Sequence, residues 1–303
     1  MAIDFPPQRV AVTGASGLLG RALVTALASR GHAVVGGYRE LPQPSPAAVT
    51  PLKLDLLNAE SIAEFVGTAR PDCVIHAAAL TDVDRCERDP EFALCVNTIG
   101  AQSLSKALEG SGCRMIFLST DYVFDGREGP YDESAVPNPI NVYGHTKNVA
   151  EEIVRTIFPD WAIVRSASFL GIGLPNRPTW AEKLVITMLE RPPLTVATDQ
   201  RSNITPLEFL ASAIIEIVEG RGTGLRHVAG DEILSRYEFA LKLVRLFGKS
   251  DDTIQAVSYR DLNRLAPRPL NGGLATRFPL RTPQIPLDVA LDRWKTEFLQ
   301  ART

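Results

Sequence analysis

The sequence is poor in cysteine and histidine, has no long apolar run, and carries almost no net charge. Its four cysteines, Cys73, Cys86, Cys95 and Cys113, form no CxxC pair in 303 residues. Zinc and iron–sulfur sites want closely spaced thiolates, and secreted disulfide scaffolds are shorter and denser in cysteine. The four histidines, His32, His76, His145 and His227, include no HExxH pair. These residues therefore point to no resident metal and no disulfide framework, and the cysteines read as reduced residues in or near a core. Lys+Arg number 32 against 35 Asp+Glu, a formal charge of −3 with no block of either sign. That balance argues against a nucleic-acid surface and against a polybasic membrane anchor. No apolar stretch approaches the ~20 residues of a membrane helix. The opening MAIDFPPQRV lacks the charged-then-apolar order of a secretory signal. The expectation is a soluble, cytoplasmic protein with neither a membrane nor a nucleic acid as partner.

What is present is an ordinary globular composition, 45% hydrophobic and 22% charged. The chain is about twice the usual ~150-residue domain, so one large or two coupled domains are expected. The first half alternates short apolar runs with amphipathic ones. Strands are expected at 9–13, 32–38, 52–55, 72–76, 114–119 and 161–165. Helical spacing follows Gly17, recurs at 59–69, runs long from about Asp89 to Glu109, and precedes Trp161. Such alternation predicts an α/β fold, a doubly wound parallel sheet of Rossmann type, with ligands at the carboxyl ends of its strands. Beyond Ser166 proline and glycine become frequent. Helices are expected at 180–189, 207–219, 236–247 and 287–299, and Asp261–Pro286 reads as a long loop. The division predicted is residues 1–168 for a dinucleotide-binding domain and 169–303 for a smaller mixed α/β substrate or lid domain, with some segments returning to the first. No internal repeat appears.

Thr13-Gly14-Ala15-Ser16-Gly17-Leu18-Leu19-Gly20 places GxxGxxG between a strand and a helix. Gly14 permits the sharp exit from the strand, Gly17 lets the backbone approach a pyrophosphate, and Gly20 lets the helix pack closely. The helix start beyond Ser16, at Leu18 and Leu19, offers free N–H groups to phosphates. No Gly-Lys-Ser/Thr follows, which sets aside a Walker loop. At the end of the second strand, Arg39 suits the extra phosphate of NADP(H). Glu40, one residue on, is the competing reading and would favour NAD(H). Asp55 is a candidate for the adenine edge or a turn-forming aspartate.

Tyr143-Gly144-His145-Thr146-Lys147 is a YxxxK pair at a helix start. The i,i+4 spacing puts both side chains on one face. A neighbouring ammonium is expected to favour the ionised phenol and lower its pKa, fitting Tyr143 for proton transfer to a reduced carbonyl. Ser119 and Thr120 end the fifth strand, where a hydroxyl can hold a substrate oxygen.

With the glycine loop, Thr120, Tyr143 and Lys147 in place, the chain resembles the extended short-chain dehydrogenase/reductases. His76-Ala77-Ala78-Ala79, Val96-Asn97, the run from Ser119 to Gly126 (STDYVFDG), Pro130-Tyr131, Asp199-Gln200, Thr205 and Arg268-Pro269 extend the likeness over nearly the whole length. Together they are similar to the dTDP-4-dehydrorhamnose reductase branch. That resemblance implies reduction by NADPH of the C4 ketone of a nucleotide-linked 6-deoxy-4-keto-sugar. It implies Tyr143 as proton donor, Thr120 on the forming alkoxide, Lys147 on the nicotinamide ribose, and Asn97 as support for the proton relay. Leu56, Ala77, Ala78 and Ala79 would lie against the cofactor. Thr81 and Asp121 stand open between sugar contacts and structural roles. Gln200 and Arg268 would address the diphosphate or base from the lid side, and the superfamily's helix pairing implies a homodimer.

One stretch departs from the branch. Where the rhamnose enzymes usually read RTSWVYG, this chain reads RSASFLG, so Ser168 replaces a tryptophan beside the sugar, with Phe169 next to it as the other substrate-side candidate. The residues after Asp199-Gln200 are also changed, to Ser202 and Ile204. Two other readings therefore accompany the ketoreductase: a nucleotide-sugar epimerase or other ketoreductase, and a cofactor-binding regulatory subunit resembling the methionine adenosyltransferase beta subunit.

Overall fold

The computed structural model describes residues 5–41, 48–220 and 222–302, so residues 1–4 of the opening stretch lie outside it. The chain runs β1 (Arg9–Thr13), α1 (Leu18–Ser29), β2 (Ala33–Tyr38), β3 (Val49–Lys53), α2 (Ala59–Ala69) and β4 (Cys73–His76). Helices α3 (Val83–Arg88), α4 (Pro90–Leu94) and α5 (Gly100–Leu108) lead to β5 (Arg114–Thr120), α6 (Val142–Ile157) and β6 (Trp161–Ser166). Then come β7 (Ser168–Leu170), α7 (Trp180–Glu190), β8 (Leu194–Ala197), β9 (Arg201–Pro206) and α8 (Leu207–Val218). The last elements are β10 (Gly224–His227), β11 (Ile233–Ser235), α9 (Arg236–Leu246), β12 (Ile254–Val257) and α10 (Leu287–Gln300).

The main sheet has strand order β10-β6-β5-β4-β1-β2-β3, and every pairing in it is parallel. This is the doubly wound arrangement, and its order reverses between β1 and β4, where a crevice opens at the strands' carboxyl ends. The two-residue alternation of the strands divides the core in two. Val10 and Val12 face the cluster made with Leu23 and Leu27 of α1 and Leu210 and Ile214 of α8. Ala11 faces the other way, toward Phe65 of α2, Leu104 of α5 and Val154 of α6. Each fully buried Leu or Phe contributes roughly 1.5–3 kcal/mol of transfer free energy.

The second half builds its own core from α7, α9 and α10, with Phe239, Trp294 and Phe298 at its centre. Its strands form a three-stranded sheet, β11-β9-β7, and a parallel pair, β12-β8. None of β7 to β12 is predicted by the sequence pattern. They are three to six residues long and gain their order from pairing with distant partners. Two of the segments return to the first half: β10 extends the main sheet beyond β6, and α8 packs beside α1 over it.

The third strand is Val49–Lys53 rather than 52–55, because Leu54 already turns inward and Asp55 starts a turn. The long helix expected from Asp89 is continuous from Pro90 to Leu108 but contains a π turn at Cys95–Ile99. Asp89 caps its start and Pro90 takes the first position, where a missing N–H costs nothing. The 261–286 segment is irregular, yet it is tied to β9 and to the loop after β5 through Arg201 N–H to Leu270 O, Asn271 N–H to Gly126 O and Tyr131 N–H to Gly273 O.

Candidate active site

The glycine loop joins β1 to α1 at the sheet's reversal point. Gly14 has φ +67°, and a Cβ there would lie 2.8 Å from the Cα of Ala78, so the loop after β4 passes against it where only glycine fits. Gly17 is the N-cap of α1, with Ser16 just before it and Leu18, Leu19 and Gly20 in the first turn. Their N–H groups have no intrahelical acceptor and, with the positive end of the helix dipole, form a cradle for an anion. Thr13 Oγ1 sits 2.8 Å from His76 Nδ1 and accepts the Ala78 N–H at 3.1 Å, which fixes Ala77, Ala78 and Ala79 beside the loop. Burial first, and then the Lys147 charge, push the His76 imidazole down to about 3, so it stays neutral.

Arg39 and Glu40 lie exposed just past β2. One oxygen of Asp55 accepts the Leu57 N–H at 3.0 Å, shaping the turn, and Leu56 packs on Gly100. Thr81 is exposed in the loop after β4.

Thr120 ends β5, and its hydroxyl donates to Asp121 Oδ1 at 3.2 Å and accepts the Tyr122 N–H at 3.2 Å. It stands near enough to the Tyr143 phenol to pull its pKa down. Asn141 caps α6 by accepting the Gly144 N–H at 2.9 Å, and its amide donates to Pro267 O. A Cβ at Gly144 would stand 2.1 Å from the Tyr122 carbonyl. Glycine there lets the first turn of α6, with Tyr143, press on the segment that follows Thr120. The Tyr122 and Tyr143 rings meet edge to face at 5.9 Å.

Lys147 is buried one turn on, with Nζ 3.9 Å above the Phe117 ring. Burial drives its ammonium down to about 7, and Glu151 opposes that shift. Tyr143 moves opposite to the expectation from its spacing to Lys147. Its phenol is pushed up, chiefly by burial and further by Asp121, Cys86 and Tyr122, while the Thr120 hydroxyl pulls it down. The i,i+4 spacing sets a common face, but desolvation decides the direction of the shift.

Asn97 lies in the π turn, a distortion often found at functional sites. Its Oδ1 accepts the Leu80 N–H at 2.7 Å, and its Nδ2 donates to Leu80 O and to Thr146 Oγ1, both at 3.1 Å. Thr146 in turn donates to Tyr143 O. Asn97 thus clamps the main chain of the loop after β4 to the Tyr143 helix through the Thr146 hydroxyl.

Beyond Tyr122 a cleft of about 330 Å³ opens between the two halves, lined among others by Trp180, Gln200 and the cations Lys183, Arg236, Arg264 and Arg268. Among the described residues no acidic side chain lines it. Gln200 Nε2 reaches Tyr122 Oη at 3.5 Å, and Arg268 pairs with Asp84 at 2.8 Å. Asp121 is buried, its Oδ2 accepting from Ser202 at 2.7 Å. Ser168 Oγ accepts from Arg236 Nη2 at 2.8 Å, and the Arg236 guanidinium stacks 4.5 Å over Trp180. Phe169 packs toward the first core instead of the cleft, so the aromatic wall comes from Trp180. Sequence reasoning missed Tyr122, Trp180, Lys183 and Arg236. Tyr122 stands inside the STDYVFDG run, whereas the other three sit on helices whose pattern signals only core packing.

The comparisons with known proteins agree with this architecture. The family model described as the RmlD substrate binding domain matches residues 8–297. The chain is 34% identical over 265 residues to the probable low-salt glycan biosynthesis reductase Agl14 of Haloferax volcanii, covering 85% of this chain and 86% of that one. It is 29% identical over 277 residues to the methionine adenosyltransferase 2 subunit beta of Xenopus tropicalis, covering 89% and 80%. Among solved structures, dTDP-4-dehydrorhamnose reductase of Bacillus anthracis in complex with NADP superposes with a TM-score of 0.80 at 27% identity, over 96% of this chain and 100% of that one.

Proposed function

This chain belongs to the RmlD substrate-binding-domain family, and from that membership we propose that it is an NADP-dependent reductase of a nucleotide-linked 4-keto-6-deoxy-sugar. The observation that carries the reading is the placing of Thr120 at the end of β5 and of Tyr143 and the buried Lys147 on one face of α6, with Tyr122, which meets Tyr143 edge to face, lining a cleft that among the described residues holds four cations and no acid.

The residues present fit a dinucleotide. The Gly14–Gly20 loop cannot accept a Cβ at its first glycine and presents free helix N–H groups, Ala77–Ala79 border it, and Arg39 stands exposed at the ribose end of β2. When bound, the cofactor supplies the hydride. Arg39 would pair with its 2′-phosphate, a charge-assisted contact that an amide or hydroxyl does not replace. Lys147 would hold the nicotinamide ribose. Thr120 would hold the ketone oxygen, and Tyr143 would give it a proton as its negative charge develops. A phenol held neutral by burial keeps that proton available across the neutral range. The cleft cations would take the diphosphate, with Trp180 and Tyr122 as its apolar walls.

The test is NADPH consumption with freshly generated dTDP-4-keto-6-deoxy-sugar, with NADH in parallel. Turnover in the native protein that drops at least ~10²-fold in Tyr143→Phe is expected. NADPH binding without consumption would sink the reading. The likeness to a methionine adenosyltransferase beta subunit supports a second one, a cofactor-binding regulatory subunit. Capture of a stable stoichiometric complex with a larger enzyme, in the absence of turnover, would favour it.

A further inference from the structure

Glu151 lies one turn beyond Lys147 on α6 and is wholly buried. Its carboxylate is saturated. Oε1 accepts from Ser119 Oγ at 2.5 Å and from Arg165 Nε at 2.9 Å, while Oε2 accepts from Arg165 Nη2 at 2.6 Å and from Arg155 Nη2 at 3.2 Å. Ser119 immediately precedes Thr120, and Arg165 stands beside Ser119 in the sheet register on β6. One side chain therefore joins the end of β5, the neighbouring strand and the helix carrying Tyr143 and Lys147.

A buried carboxylate of this kind seldom adds stability, because desolvation of both partners offsets the attraction. Its placement suggests another use. Lys147 makes no ion pair among the described residues. Its surroundings are the Phe117 face on β5, neutral His76 on β4 and, one turn back on its own helix, the phenol of Tyr143, while the π turn packed on that helix brings only the uncharged Asn97 and Thr98, both bonded to Thr146. Arg165 on β6 and Arg155 on α6 are both engaged by Glu151. Of these groups, Glu151 is the charge that tells on Lys147.

We propose that Glu151 is a positioning residue of the site: it holds the Lys147 ammonium charged despite its burial, and it pins the Thr120 end of β5 to the helix that presents Tyr143. The proposal rests on the reading of Lys147 as the cofactor-ribose contact, and it is tested without the sugar. NADP⁺ affinity is titrated by calorimetry from pH 5 to 8.5 in the native protein, Glu151→Asp and Glu151→Gln. The glutamine still accepts from Ser119 and Arg165 but carries no charge. Loss of affinity on the alkaline side, as Lys147 gives up its proton, should begin about one pH unit lower in Glu151→Gln. Kd would then be nearly unchanged at pH 5 and ~10-fold weaker at pH 8, with Glu151→Asp keeping the native profile. If the unpaired Arg165 unfolds the variant, Glu151→Gln with Arg165→Gln is compared with Arg165→Gln alone, so that the loss of the arginine cancels and the shift read is that of the carboxylate. A uniform weakening at every pH, with the alkaline limb unmoved, would overturn the proposal and leave Glu151 a packing residue. Failure of the reductase reading shows separately, as native protein that binds NADP⁺ but consumes no NADPH.

Discussion

Tyr143 and Lys147 share a helix face, yet each is moved from its ordinary pKa by the same cause in opposite charge senses. Burial keeps the phenol protonated and draws the ammonium down to about 7. For Lys147 the sign of the stability effect follows. Between about pH 7 and the ordinary lysine value of 10.5, the unfolded chain holds a proton that the folded chain has released. The residue's penalty is thus fully present below pH 7 and is relieved as pH rises through that window. Lys147→Met is therefore expected to raise Tm by several degrees at pH 6, by less at pH 9, and to abolish turnover. Thermal melts at the two pH values check it, and a lowered Tm at pH 6 would contradict the account.

At the scale of elements, α6 is set by its first turn. Asn141 caps it, ties it to Pro267 in the irregular 261–286 segment, and so brings that segment over the site. Losing an N-cap costs about 1 kcal/mol, or roughly 2–4 °C for a chain of this size. Asn141→Ala is expected to lower Tm by that amount and to cut kcat several-fold while leaving NADPH affinity within about two-fold, since Lys147 lies deeper in the helix than Tyr143. Equal losses in kcat and affinity would mean that the whole helix had shifted. The π turn works at the same scale. Its one extra backbone residue swings Asn97 to Leu80 and Thr146, and a plain 3.6-residue pattern gives no sign of it.

Across the whole molecule the two halves are interleaved. Phe209, Leu210, Ile214 and Ile217 of α8 bury the face of the main sheet that also carries Val10 and Val12, and β10 closes its edge against β6. A fragment of residues 1–168 would expose that face. Expressed alone, it is expected to lack near-UV CD and dispersed NMR signals, whereas a fragment extended through β10 to residue 230 should gain them. A well-dispersed spectrum from 1–168 would show that the first half is self-sufficient.

The doubly wound fold was legible in the sequence because strand–helix alternation is local. A buried parallel strand is a short apolar run, a covering helix repeats at 3.6, and the glycine loop marks their junction. Thr120, Tyr143 and Lys147 were legible for the same reason, each standing at a fixed offset from a strand end or helix start. The tertiary structure alone decided the rest. Trp180 and Arg236 come to the cleft from helices 56 positions apart in the chain and meet through stacking, while Phe169, next to Ser168 in sequence, turns into the core. The short strands of the second half gain their order from pairing with distant partners, and the direction of each pKa shift comes from burial. Neither pairing nor burial is a property of neighbouring residues, so neither is written in their spacing.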